Sequence, residues 1–153
     1  MLDDKQIDNI LRGKLSDVGG HSLGAIQRTL GRYWIVDFSI RLGAASTNAV
    51  AKILKTDYKT ENVEVNSQTD IPRLVKKYFN DRLISEENEN GIYYAVGVKA
   101  SGFFNMNPCV LEIVSKSNNI QVSAHAKEGL IKQKTCSKAI ASLKAYLLGT
   151  VAA

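Results

Sequence analysis

Apolar side chains recur along this chain at two spacings, and the points where the spacing changes divide it into elements. Ile7, Ile10 and Leu11, with Leu15 beyond them, fall on one helical face. Asp3 and Asp4 stand where carboxylates suit the positive end of a helix, so a first helix is expected from about Asp3 to Leu15. Val18-Gly19-Gly20 interrupts it. Ser22 then caps a short second helix whose apolar face is Leu23, Ile26 and Leu30, with Gly31 as a left-handed stop.

From Arg32 the period shortens to two. Val36, Phe38, Ile40 and Leu42 face one way while Asp37, Ser39 and Arg41 face the other, the signature of a half-buried strand. The stretch from 49 to 56 fits both a helix, through Ala49, Val50, Ile53 and Leu54, and a strand, through its β-branched content. Asn62 to Asn66 alternates as a short strand. Asp70 and Pro72 then supply an N-cap and an early proline for a helix from about Ile71 to Ile84, with Leu74, Val75, Tyr78, Phe79 and Leu83 buried and Arg73, Lys76, Lys77 and Arg82 in water. The acidic segment Ser85 to Gly91 reads as a turn.

Ile92 to Ala100 reads as a strand, and Cys109 to Lys116 and Ile120 to His125 flank the polar turn Ser117-Asn118-Asn119, giving an antiparallel meander. Thr135 to Leu148 closes the chain as a helix with Ile140, Leu143 and Leu147 inward and Gly149 as its stop. Sliding the chain on itself sets Tyr33 on Tyr93, Val36 on Val96, Val50 on Val110 and Ile53 on Ile113. A tandem duplication would follow, a helix and three strands used twice, and this alignment favours the strand reading of 49–56. Two unrelated meanders are the competing account. Either way the expected fold is α+β, one domain over residues 1–153, with an antiparallel sheet of five to six strands backed by three to four helices.

Composition adds little to this picture. Apolar residues are 44% and charged residues 23% of the 153, ordinary for a globular domain and outside the disordered and fibrous classes. No apolar run approaches the ~20 residues of a bilayer-spanning helix, and Met1 is followed by charged residues, not by a secretion signal. Cys109 and Cys136 are too few for a disulfide framework, so reduced thiols and a cytoplasmic location are expected. The net charge of +5 brings nucleic acid into consideration. The excess lies in the second half, where Lys127, Lys132, Lys134, Lys138 and Lys144 are set against Glu128 alone.

Candidate chemistry is sparse. Cys136 begins the last helix, where backbone N–H groups together with Lys134 and Lys138 favour a thiolate; the plainer reading is a small residue filling the first turn. His125 could pair with it as a Cys/His dyad. His21, Cys109, His125 and Cys136 are scattered singly, so no metal and no cofactor is expected. Gly19-Gly20 and Gly24 match no phosphate-binding fingerprint and read as turn residues. Lys132, Lys134, Lys138 and Lys144 form a polyanion surface or a solvated lysine face. Phe103, Phe104 and Met106 sit in a segment that should be polar, so it folds over the core or meets a ligand or a second copy of the chain.

The function expected from these residues is a non-catalytic binding domain for a protein or small ligand, oligomeric and without membrane contact. Nucleic-acid binding through the four lysines is the first alternative, and a cysteine-dependent enzyme using Cys136 and His125 is the second.

Overall fold

The computed structural model describes residues 2–15, 54–100, 108–128 and 134–149. The chain divides into two compact units, residues 2–55 and residues 56–153. The second helix expected at Ser22, the strand expected from Arg32, most of the ambiguous stretch 49–56, the Phe103-Phe104-Met106 segment and Lys132 all lie outside the described residues.

In the first unit, helix α1 spans residues 4–15. Its start is a reciprocal capping box: Gln6 N–H donates to Asp3 Oδ1 at 2.7 Å, and Asp3 N–H donates to Gln6 Oε1 at 2.9 Å. Each side chain thereby satisfies a backbone donor that the first turn leaves without a helical partner. Ile7, Leu11 and Leu15, four apart, form its buried stripe.

The second unit is α+β. In chain order it comprises strand β1 (Lys55–Glu64), helix α2 (Ile71–Tyr78), strands β2 (Leu83–Glu89), β3 (Ile92–Ala100), β4 (Pro108–Lys116) and β5 (Asn119–Glu128), and helix α3 (Thr135–Leu147). The sheet has five strands in the order β1-β5-β4-β3-β2. From β2 to β5 it is the expected antiparallel meander. β1 returns to the far side of β5, also antiparallel: Val65 N–H donates to Asn118 O at the start of β5, and Thr60 lies beside Ser123 in its middle.

The pleat divides the sheet's side chains between two faces. On one, Tyr93, Ala95, Cys109, Leu111, Ile113, Ile120, Val122, Ala124 and Ala126 meet α2 and α3. The helices contribute Ile71, Val75, Tyr78 and Phe79 from the α2 side and Cys136, Ala139, Ile140, Leu143 and Leu147 from α3. Tyr78 joins the two helices, donating its hydroxyl to Ser142 Oγ at 3.1 Å with its ring 5.3 Å from that of Tyr146. Arg73, Lys76, Lys77 and Arg82 are exposed, as the helical stripe requires. Phe79 reaches the sheet directly above Gly97, the one position of β3 with room for its ring.

Three elements depart from the sequence reading. β1 begins at Lys55, seven residues before the strand expected at Asn62. Its first half alternates Asp57, Lys59 and Glu61 with Tyr58, Thr60 and Asn62, a period of two almost without apolar contrast. Helix α2 ends at Tyr78, short of the expected Ile84, because Asn80 and Asp81 both take left-handed conformations, φ 51° and 58°. Asn and Asp are the residue types that tolerate this region best after glycine, so the pair is a stop signal. The acidic segment expected as a turn is instead strand β2, and Leu83 belongs to it. The turn itself is Asn90-Gly91, with φ 52° and 74°, the two positive values a tight two-residue hairpin needs.

β2 lies at one edge of the sheet, and Glu86, Glu87 and Glu89 along it are exposed. Charges on an edge strand are compatible with pairing on the inner side only, so the acidity that resembles a loop belongs to an edge.

Candidate functional site

On the sheet face opposite α2 and α3, the residues alternate with those of the core. Val96, Val110, Glu112, Ser123, His125 and Lys127 are all buried there. A carboxylate, an imidazole and an ammonium group among valines require partners, because desolvating such groups without hydrogen bonds costs several kcal/mol, on the order of 2–7 for a neutral polar group.

The partners form a chain across four strands. Glu112, 3% exposed, accepts from the Tyr94 hydroxyl of β3 through Oε2 at 2.8 Å. Its Oε1 lies 3.2 Å from Nε2 of His125 on β5, which is 8% exposed. An ionised carboxylate only accepts, so this contact places a proton on Nε2. The imidazole in turn packs against Tyr58 of β1, ring centroids 4.8 Å apart at 42°. Thr60, two residues along β1 and on the same face, donates to the Tyr58 hydroxyl, and its Oγ1 lies 3.0 Å from Ser123 Oγ. Ser123 closes the loop, since it sits directly across from Glu112 in the β4–β5 register.

The row changes character from one end to the other. Glu112 and His125 are enclosed, whereas Tyr58 is 58% exposed. Hydrogen bonds from Thr60 and then Ser123 hold the Tyr58 phenol below its ordinary pKa, against the smaller opposing effects of burial and the Glu112 charge. The result is an accessible aromatic ring with an acidified hydroxyl, backed by two further hydroxyls and a buried imidazole–carboxylate pair. Such a set can hold a ligand by ring contact and by hydrogen bonds in both directions. Ser123 is engaged by Thr60, and the imidazole by Glu112, so the printed geometry is that of a polar anchor.

The residues singled out in the sequence fall in three places. His125 is in this row. Cys136 is the second residue of α3 and lies in the helix-covered core, on the opposite face of the sheet from the His125 imidazole. Strand β5 separates the two side chains, and no Cys/His dyad forms. Lys134, Lys138 and Lys144 are exposed on or beside α3, with Lys144 turned toward Glu61 of β1 and Lys134 and Lys138 one turn apart at the other end. Among the described residues no group of three or more His, Cys, Asp or Glu side chains could hold a metal ion, and no helix is long and apolar enough to cross a membrane.

Tyr58, Thr60, Tyr94, Glu112 and Ser123 were not among the sequence candidates. One signal was present: Glu112 is a lone carboxylate inside Val110-Leu111-Glu112-Ile113-Val114, and an acid in an apolar strand is a buried acid that needs partners. Comparison with protein-family models, with curated proteins and with solved structures gives no match.

Proposed function

We propose that this chain is a non-catalytic binding domain, and that it takes a small planar ligand with hydrogen-bonding edges against Tyr58, Thr60, Ser123 and His125. The observation that supports this is the polar row itself, which runs from a buried His125–Glu112 pair to a tyrosine ring more than half exposed. A buried polar network whose only task is stability has no need of an exposed aromatic end. In this reading Glu112 fixes the imidazole, Tyr58 offers its ring to the ligand, and the Thr60 and Ser123 hydroxyls select its edge.

Ligand-observed NMR with a library of small planar heterocycles tests the proposal. Hits should shift the amide signals of β1 and β5, and Tyr58→Ala should weaken them at least ~10-fold, the effect of losing one aromatic contact plus a hydrogen bond. Hits whose shifts map to another surface, or that bind Tyr58→Ala unchanged, would refute it.

A further inference from the structure

Cys109 and Cys136 lie together in the core. Cys109 pairs with Ala126 in the β4–β5 register, and the β1–β5 contacts at Val65–Asn118 and Thr60–Ser123 carry Asp57 to the other side of the same row. Cys136, in the first turn of α3, stands over this row: its thiol donates to Asp57 O at 3.5 Å, and its sulfur is hydrogen-bonded with the Cys109 thiol. Both are free thiols, 0% and 1% exposed.

We propose that Cys109 and Cys136 form an oxidation site, which a hydroperoxide converts into an intramolecular disulfide tying β4 to the start of α3. Two cysteines far apart in sequence have been brought into sulfur contact from a strand and a helix, and the oxidant need only be small enough to enter a core opening. The order of events follows from the surroundings. Hydrogen bonding to Cys136 and burial hold the Cys109 thiol well above its ordinary pKa, so Cys136 is the sulfur that reacts first.

Cys136 gives its proton to water, and its thiolate attacks one oxygen of hydrogen peroxide. The O–O bond breaks, hydroxide leaves and takes up that proton, and Cys136 becomes a sulfenic acid. Cys109 sulfur then attacks Cys136 sulfur. The S–S bond forms as the S–O bond breaks, and the departing hydroxide takes the Cys109 proton as water. Two thiols lose two electrons in all, and one peroxide becomes two waters.

The test is intact-mass analysis and non-reducing peptide mapping of the full chain after brief exposure to hydrogen peroxide. The expected product is about 2 Da lighter, carries a cross-linked peptide containing Cys109 and Cys136, and returns to the starting mass with dithiothreitol. Cys109→Ala should instead accumulate oxygen adducts on Cys136. Wild-type protein in which both thiols still alkylate after denaturation would overturn the proposal. So would wild-type protein in which Cys136 gains oxygen while Cys109 stays a thiol. Because both of these outcomes are read on the wild-type chain, the test stands even if the variant fails to fold.

Discussion

The Phe79 ring occupies the space that a side chain at Gly97 would need: a Cβ built on Gly97 stands 2.5 Å from both Cδ1 and Cε1 of Phe79. Helix α2 thus approaches β3 through the absence of a methyl group. Gly97→Ala should destabilise the domain by about 1–3 kcal/mol, the usual cost of overpacking, read as a lower urea midpoint with an unchanged slope. Pairing it with Phe79→Leu should give less than the sum of the two single effects, because the residues share one volume.

The row from Tyr94 to His125 should behave as a coupled unit. Glu112→Leu leaves the Tyr94 hydroxyl and the His125 N–H without their acceptor, and a loss of about 1–3 kcal/mol in chemical denaturation is expected for such orphaned buried donors. Tyr94→Phe removes one donor and should cost less, about 1 kcal/mol. A double-mutant cycle between positions 94 and 112 should show a coupling of at least ~0.5 kcal/mol, and additive effects would show that the contact contributes nothing.

Three tyrosines should separate in an alkaline titration. Tyr58, held low by Thr60 and Ser123, should ionise first, and Thr60→Val should delay it in ultraviolet difference spectra. Tyr78 is pushed up by burial, against the opposing Ser142 hydrogen bond, and Tyr93 by burial and the Glu86 charge. A phenol with a raised folded-state pKa contributes stability that is complete below its ordinary value of 10.0, and that is lost as pH rises beyond it, because the unfolded chain gives up the proton first. Stability should therefore decline above about pH 10. The Tyr93 hydroxyl is also buried without a hydrogen-bond partner, so Tyr93→Phe should flatten that decline and cost nothing at neutral pH.

Helix α3 begins without a side-chain cap of its own, since Lys134 holds the N-cap position in a left-handed conformation, φ 56°. Glu128, at the end of β5, supplies the missing acceptor and takes the Thr135 N–H on Oε1 at 2.6 Å. Glu128→Ala should cost about 1 kcal/mol, the ordinary value of a lost cap. Lys134→Gly should raise the melting temperature, since glycine adopts that backbone without steric penalty.

These residues also show which parts of the molecule could be read in advance. Strands β3, β4 and β5 and helix α3 were legible because each is apolar enough for its period to stand out, as Ile120, Val122 and Ala124 or Ile140, Leu143 and Leu147 do. α2 was legible at its start, through Asp70 and Pro72, and misjudged at its end. Leu83 happens to continue the helical spacing past Asn80 and Asp81, and backbone conformation overrode periodicity. The candidate site was hidden for a different reason. Its members come from four strands, two residues at most from any one, so only strand order and register bring them together. His125 was visible as one of two histidines, but its partner was misassigned, because which face of β5 it takes depends on pairing with Val110.

The acidic edge at β2 has a consequence for the fate of the chain among its own copies. A bare strand edge is a template onto which another chain can zip, and here each arriving copy would bring Glu86, Glu87 and Glu89 against an identical row of like charge. The same residues that disguise the strand as a loop keep it from recruiting its twin.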